Sequence, residues 1–143
     1  MSRSRNSEVD AYAFIKEYLA IQGWIVKNPN RVANGQVYTQ TECLDHPEIK
    51  KYLGQTHPEN IVKVSESELY LIEAKRNKEQ INQALKEIEE DYAECINKSR
   101  TIKAKIISGV AGNSTDGFIV KSKFKKNGKF LPIKINGKEI TGF

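Results

Sequence analysis

A mixed α/β fold, a central sheet flanked by helices with a β-hairpin toward the C-terminal end, is predicted by three features of the sequence. Two short apolar strands meet at a polar turn near the middle of the chain. A helical pattern and then a buried strand follow, a unit whose two strands should run parallel. Near the end, Asn127-Gly128 separates two more strand patterns, a strong hairpin signal. The 143 residues suit one domain with a real core, and 38% hydrophobic against 29% charged residues is ordinary for a globular chain.

Taken in order, Ser7 reads as an N-cap, with Glu8 and Asp10 in a first turn where acids suit the helix dipole. Val9, Tyr12, Ala13, Ile15, Leu19 and Ala20 recur at helical spacing and predict an amphipathic helix over 8–21. Trp24-Ile25-Val26 suggests a strand, Asn28-Pro29-Asn30 and Asn34-Gly35 are turns, and Val37-Tyr38-Thr39 is a short strand. His46-Pro47-Glu48 opens a short helix, Pro47–Leu53, that Gly54 closes.

The middle strands are Asn60–Val64 and Leu69–Ile72, around Ser65-Glu66-Ser67-Glu68. Asn77 or Asn82 then caps a long helix ending near Asn97, with Ile81, Leu85, Ile88, Tyr92, Cys95 and Ile96 as its apolar stripe. Its other side carries Gln83, Glu87, Glu90, Asp91 and Glu94, read as a solvated face. Gln83 and Glu87, one turn apart, could still reach the end of the preceding strand. Lys103–Val110 is the buried strand, and 109–113 is read as a tight small-residue loop. Phe118–Phe124 and Lys129–Ile135 are the hairpin strands, with a last turn at Asn136-Gly137.

No apolar run approaches the roughly 20 residues that span a bilayer, and the start lacks the apolar core of a signal peptide. Cys43 and Cys95 show neither disulfide nor metal spacing, which fits free thiols in a cytoplasmic protein. The net charge of +5 is uneven: residues 101–143 hold nine lysines against Asp116 and Glu139. That basic third could grip a polyanion, although charge alone slightly favours a merely soluble lysine-rich surface.

The chemistry-bearing residues gather at one end of the middle strands. Glu73 and Lys75 alternate to one face with Ala74 turned away, and a hairpin brings Glu59 to the same end. Two carboxylates, joined by the Ala74 carbonyl, can hold a divalent cation that leaves water positions open. Lys75 can orient or deprotonate a water, or stabilise charge in a transition state. Glu-Ala-Lys alone is a common triplet; its place at the end of an apolar strand, after a Pro-acid pair, raises it. His46 and His57 are left out of the site as solvated loop histidines.

This order resembles the PD-(D/E)xK nuclease superfamily, with Pro58-Glu59 standing for the Pro-Asp element and Glu73-Ala74-Lys75 for (D/E)xK. A closer resemblance is to the N-terminal nuclease-like domain of restriction enzymes, found on type I restriction motor subunits and on fused restriction–modification proteins of the N-6 adenine DNA methylase kind. It is carried by 58–62, 72–76, 83–85, 91–93, 108–113 and 136–142 and covers essentially the whole chain.

The resemblance implies a restriction-endonuclease-like fold and a Mg²⁺-dependent DNA endonuclease, with Mn²⁺ able to substitute. Residues 1–143 would form a single nuclease-like domain at the front of a longer restriction–modification protein. Glu59 and Glu73 would be metal ligands with the Ala74 carbonyl, Lys75 the catalytic lysine and Gln83 the helix glutamine. Glu8, a surface acid on its own reading, becomes a further acid of the site. Lys121, Lys123, Lys125, Lys126 and Lys129 would contact phosphates of double-stranded DNA. Sequence specificity would come from a fused or separate methyltransferase or specificity region, and a homodimer is compatible with this scheme.

Two departures stand out. Glu59 replaces the usual Asp and reaches about one methylene further. Tyr92 lies too far from Gln83 for the family's Gln-x-x-x-Tyr spacing, so it is read as core. The competing readings are a non-catalytic nucleic-acid-binding or assembly module of the same fold, and a structural α/β domain in which Glu-Ala-Lys is accidental.

Overall fold

Strand alternation sorts the apolar residues onto the two faces of one twisted sheet, and each face is covered by its own helix. The computed structural model describes the backbone of residues 3–135 and 138–139 and the side chains of 10–133. Six strands run in the order β1 (Val37–Thr39), β2 (Asn60–Lys63), β3 (Glu68–Lys75), β4 (Lys103–Asn113), β5 (Gly117–Lys126) and β6 (Lys129–Pro132). Only β3 and β4 pair in parallel; every other neighbouring pair is antiparallel. The fold is therefore mixed α/β with a C-terminal hairpin, β5–β6.

Helix α1 (Arg3–Ile21) lies on one face, where Ile15 and Leu19 pack with Val37, Val62, Tyr70, Ile72, Val110 and Val120. It starts earlier than its apolar spacing suggests, so Ser7 falls inside it. Gly23, at φ 97°, ends it: Trp24 N–H reaches Leu19 O and Gly23 N–H reaches Ala20 O, each at 3.0 Å. The expected Trp24–Val26 strand does not form. That segment instead runs beside β1, with Gln36 N–H on Ile25 O at 2.9 Å and Val37 N–H on Lys27 O at 3.1 Å, covering part of the strand's edge.

The opposite face carries Leu69, Leu71, Ile61, Ala104 and Ile107 beneath α3 (Ile81–Glu87), a π-helical turn (Ile88–Ala93) and α4 (Glu94–Ile96). These three run without a break from Ile81 to Ile96, so the single helix of the sequence pattern forms with a π segment inside it, after a short 3₁₀ turn, Lys78–Gln80. Helix α2 (Pro47–Leu53) forms as expected, its first N–H groups, from Glu48 and Ile49, donating to His46 Nδ1. A 3₁₀ helix, Gln40–Asp45, stands before it where the sequence was least readable.

The expected loop at 109–113 is a correction of consequence: those residues continue β4 and pair with Gly117 to Lys121 of β5. Their small size serves close packing rather than a turn. A Cβ on Gly109 would lie 2.9 Å from Leu85 N and 3.2 Å from the Ala84 Cβ, so α3 rests directly on the β4 backbone. At the hairpin tip Asn127 and Gly128 both take positive φ, 52° and 82°, as a two-residue turn of this type requires. The expected Lys129–Ile135 strand divides into β6 and β7 (Lys134–Ile135), the latter paired with β8 (Lys138–Glu139). The Asn136-Gly137 turn lies outside the described residues. Among the described residues no helix is long and apolar enough to cross a membrane.

Candidate active site

The register of β2 on β3 decides where the acids meet. Asn60 pairs with Ile72, so Glu59, one residue before, is the next position along toward Glu73. The carbonyl of Glu59 accepts Gln40 N–H at 2.7 Å, and its Oε1 accepts Gln40 Nε2 at 3.3 Å. Gln40 adopts φ 50°, a conformation that costs a non-glycine residue energy and is held here by its neighbours.

On β3 the alternation is as expected. Leu69 and Leu71 face α3, which places Glu73 and Lys75 on that face, while Ala74 packs into the α1 core. Glu73 is half-buried, and its Oε1 accepts its neighbour's N–H, that of Ala74, at 3.1 Å. Burial pushes the Glu73 carboxyl up to about 7. The Ala74 N–H and Lys75 oppose that rise, and the charges of Glu59 and Glu87 add to it, which sets all three ionic side chains within electrostatic reach of Glu73.

The helix supplies what the sequence left among solvated residues. Lys75 Nζ lies 2.9 Å from Glu87 Oε1, each side chain only 25% exposed. Gln83 Nε2 donates to Glu87 Oε2 at 2.9 Å, so both carboxylate oxygens of Glu87 are engaged. Gln83 thus reaches the site through Glu87. Glu87 was legible as the residue one turn beyond Gln83, on the face that could meet β3.

Tyr92 is half-buried and packs on the core near Cys43, as read from its helical stripe. Its hydroxyl is nonetheless pushed up to about 12, by burial first and then by the charges of Glu73, Asp91 and Glu87. The tyrosine therefore borders the site as well as the core. A π turn, with its extra residue, has no signature in the apolar spacing that would have announced this.

The remaining candidates are spread more widely. Glu8 lies on α1, the helix of the opposite face, and its side chain is outside the described residues. Two residues on, Asp10 Oδ2 accepts Ser114 Oγ at 2.7 Å, pinning that part of α1 near the β4–β5 turn at the Lys75 end of the sheet. Of the lysines, Lys121, Lys123 and Lys125 share the α3 face by alternation, and Lys126 falls to the other. Lys123 Nζ is occupied by Glu89 Oε1 at 3.3 Å, and Lys125 Nζ lies 5.5 Å from the centre of the Phe130 ring. Lys126 and Lys129 stand opposite one another beside the hairpin turn, both exposed.

The donor set of Glu59, Glu73 and the Ala74 carbonyl is all hard oxygen, the chemistry Mg²⁺ prefers. A half-buried carboxyl whose ionised form is disfavoured also suits a cation that would neutralise it. Among the described residues no group of three or more His, Cys, Asp or Glu side chains is placed to hold a metal ion, so the fit rests on two carboxylates and a backbone carbonyl. Comparisons of the chain with protein-family models, with curated proteins and with solved structures find no match.

Proposed function

We propose that this chain is a Mg²⁺-dependent DNA endonuclease domain of a restriction–modification system, hydrolysing phosphodiester bonds and leaving sequence specificity to another region or subunit. The observation that carries it is the meeting of Glu73 and Lys75 on one face at the end of β3, with Glu59 at the adjoining end of β2. The resemblance of Pro58-Glu59 and Glu73-Ala74-Lys75 to the PD-(D/E)xK pattern supports the same reading.

Glu59, Glu73 and the Ala74 carbonyl would hold the cation. Bound there, Mg²⁺ supplies a counter-charge for the developing phosphorane and lowers the pKa of water. Lys75 orients the attacking water and places its ammonium against the negative charge that builds on the phosphoryl oxygens. Gln40, at the start of the 3₁₀ helix that follows β1, steadies Glu59 through the side-chain and backbone bonds described above. Lys121, Lys125, Lys126 and Lys129 contribute phosphate contacts, giving DNA binding that weakens steeply with salt.

A non-catalytic nucleic-acid-binding module of the same fold is the second reading, favoured by the lack of a three-side-chain metal group among the described residues. Plasmid cleavage with Mg²⁺ or Mn²⁺ separates the two. The nuclease reading expects cutting by the wild type, and cutting lost with DNA binding retained in Lys75→Ala and Glu73→Ala. Salt-sensitive DNA binding without any cutting, equal in all three proteins, would establish the second reading instead.

A further inference from the structure

We propose that Glu87 is a positioning residue whose task is to hold Lys75 away from Glu73, keeping that carboxylate open for a cation. The proposal rests on the nuclease reading above. Glu73 and Lys75 are two residues apart on one strand face, about 7 Å along the strand, within the span of a lysine folded back on its neighbour. A closed Glu73–Lys75 pair would occupy the same oxygens a metal needs. In the structure the ammonium is drawn to the helix instead, 2.9 Å from Glu87 Oε1, and no ion pair joins it to Glu73 among the described residues. Glu73 Oε1 takes only its neighbour's backbone N–H, and Oε2 has no hydrogen-bond partner among the described residues.

Glu87 is itself fixed. Gln83 Nε2 holds its second oxygen, and α3 is seated on Gly109, the residue of β4 that pairs with Glu73. The relay therefore runs from Gln83 to Glu87 to Lys75 across a helix–strand contact with little slack. Glu87 follows Gln83 by one helical turn, where the resembled Gln-x-x-x-Tyr pattern carries a tyrosine. A neutral phenol cannot capture an ammonium as a carboxylate does, so the device belongs to this chain's own residues.

The test is a double-mutant cycle on the full chain, read by Mn²⁺ binding in the absence of DNA and by single-turnover cleavage. Glu87→Gln is expected to weaken Mn²⁺ binding and slow cleavage by about 10–100-fold, the usual range for groups that orient a metal site from outside. DNA affinity and Tm should stay at wild-type values. In a Lys75→Met background the same Glu87→Gln change should leave Mn²⁺ binding unaltered, because no ammonium remains to close on Glu73. Glu87→Asp should restore part of the Mn²⁺ affinity that Glu87→Gln loses. Equal weakening in both backgrounds, or none in either, overturns the positioning role while leaving the nuclease reading intact. A wild-type chain that neither binds Mn²⁺ nor cuts overturns both, a distinguishable pattern.

Discussion

On the α1 face of the sheet three neutral hydroxyls are buried together; on the α3 face half-buried ions gather at the end of β3. Tyr70 OH lies 2.6 Å from Ser108 Oγ, which lies 2.5 Å from Ser122 Oγ, a chain across β3, β4 and β5 inside an apolar core. Burial pushes the Tyr70 hydroxyl well above the usual phenol range, so it stays neutral at any ordinary pH. The three hydroxyls satisfy one another and ask nothing of solvent or ligand. Across the sheet, Glu73 is buried enough to resist ionisation, and Lys75 is paired with an acid from the helix rather than with its neighbour. The first arrangement is closed and serves the fold. The second is open at one carboxylate, and that opening is where chemistry can be placed. The loose end on the hydroxyl side is Asn60, whose Oδ1 is buried without a partner among the described residues and adjoins Glu59 in sequence.

Substitutions that exchange these properties would break the contrast. The largest effect is expected from Lys75→Met: single-turnover cleavage should fall by at least about 100-fold. Its urea midpoint should move little, since the partly buried Lys75–Glu87 pair keeps solvent access and contributes about 1 kcal/mol. Ser108→Ala should show the inverse. It strands the Tyr70 and Ser122 hydroxyls in the core and should cost about 1–3 kcal/mol in urea unfolding, while cleavage per folded molecule is unchanged.

A third change sharpens the contrast through pH. Burial raises the Glu73 carboxyl in the folded protein to about 7 from its ordinary 4.5, so the folded state holds the proton more tightly than the unfolded one. The stability it contributes is full below pH 4.5 and is lost as pH rises through about 7. Glu73→Gln should remove that slope, so that its Tm exceeds the wild-type value progressively more from pH 5 to pH 8 without metal. A parallel course of the two Tm curves would show that the carboxyl titrates as it does in the unfolded chain. The smallest effect is expected from Lys123→Ala. Because Glu89 already occupies that ammonium, DNA affinity should drop less than in Lys126→Ala, as filter binding at low salt would measure.

The elements legible in the sequence were those with local causes. The β2–β3 hairpin, the parallel β3–β4 pair, α2 with its His46 cap and the Asn127-Gly128 turn all follow from short-range pattern and turn chemistry. Glu73 and Lys75 share a face because strand alternation compels it. The misreadings came from contacts between distant segments. Trp24–Val26 packs on the α1-face core and bonds to β1's edge through Ile25 and Gln36, yet builds no ladder. The small residues of 109–113 looked like a loop because nothing local says that a helix lies on them. Gln40 at φ 50° and the π turn under Tyr92 are likewise tertiary outcomes. Glu87 was legible with Gln83 as within reach of the strand end, but its pairing with Lys75 follows from the placement of α3.

Gly109 carries that placement further than its size suggests. It contributes no functional group, pairs across from Glu73 and sets how near α3 can come to the sheet. A methyl there would act as a shim between helix and strand, and the carboxylate of Glu87 would ride up with the helix. The gap it opened would be paid in reach by Lys75. A residue with no side chain is thus the gauge block of the candidate site: variation at 109 would retune its spacing without touching any group that binds or reacts.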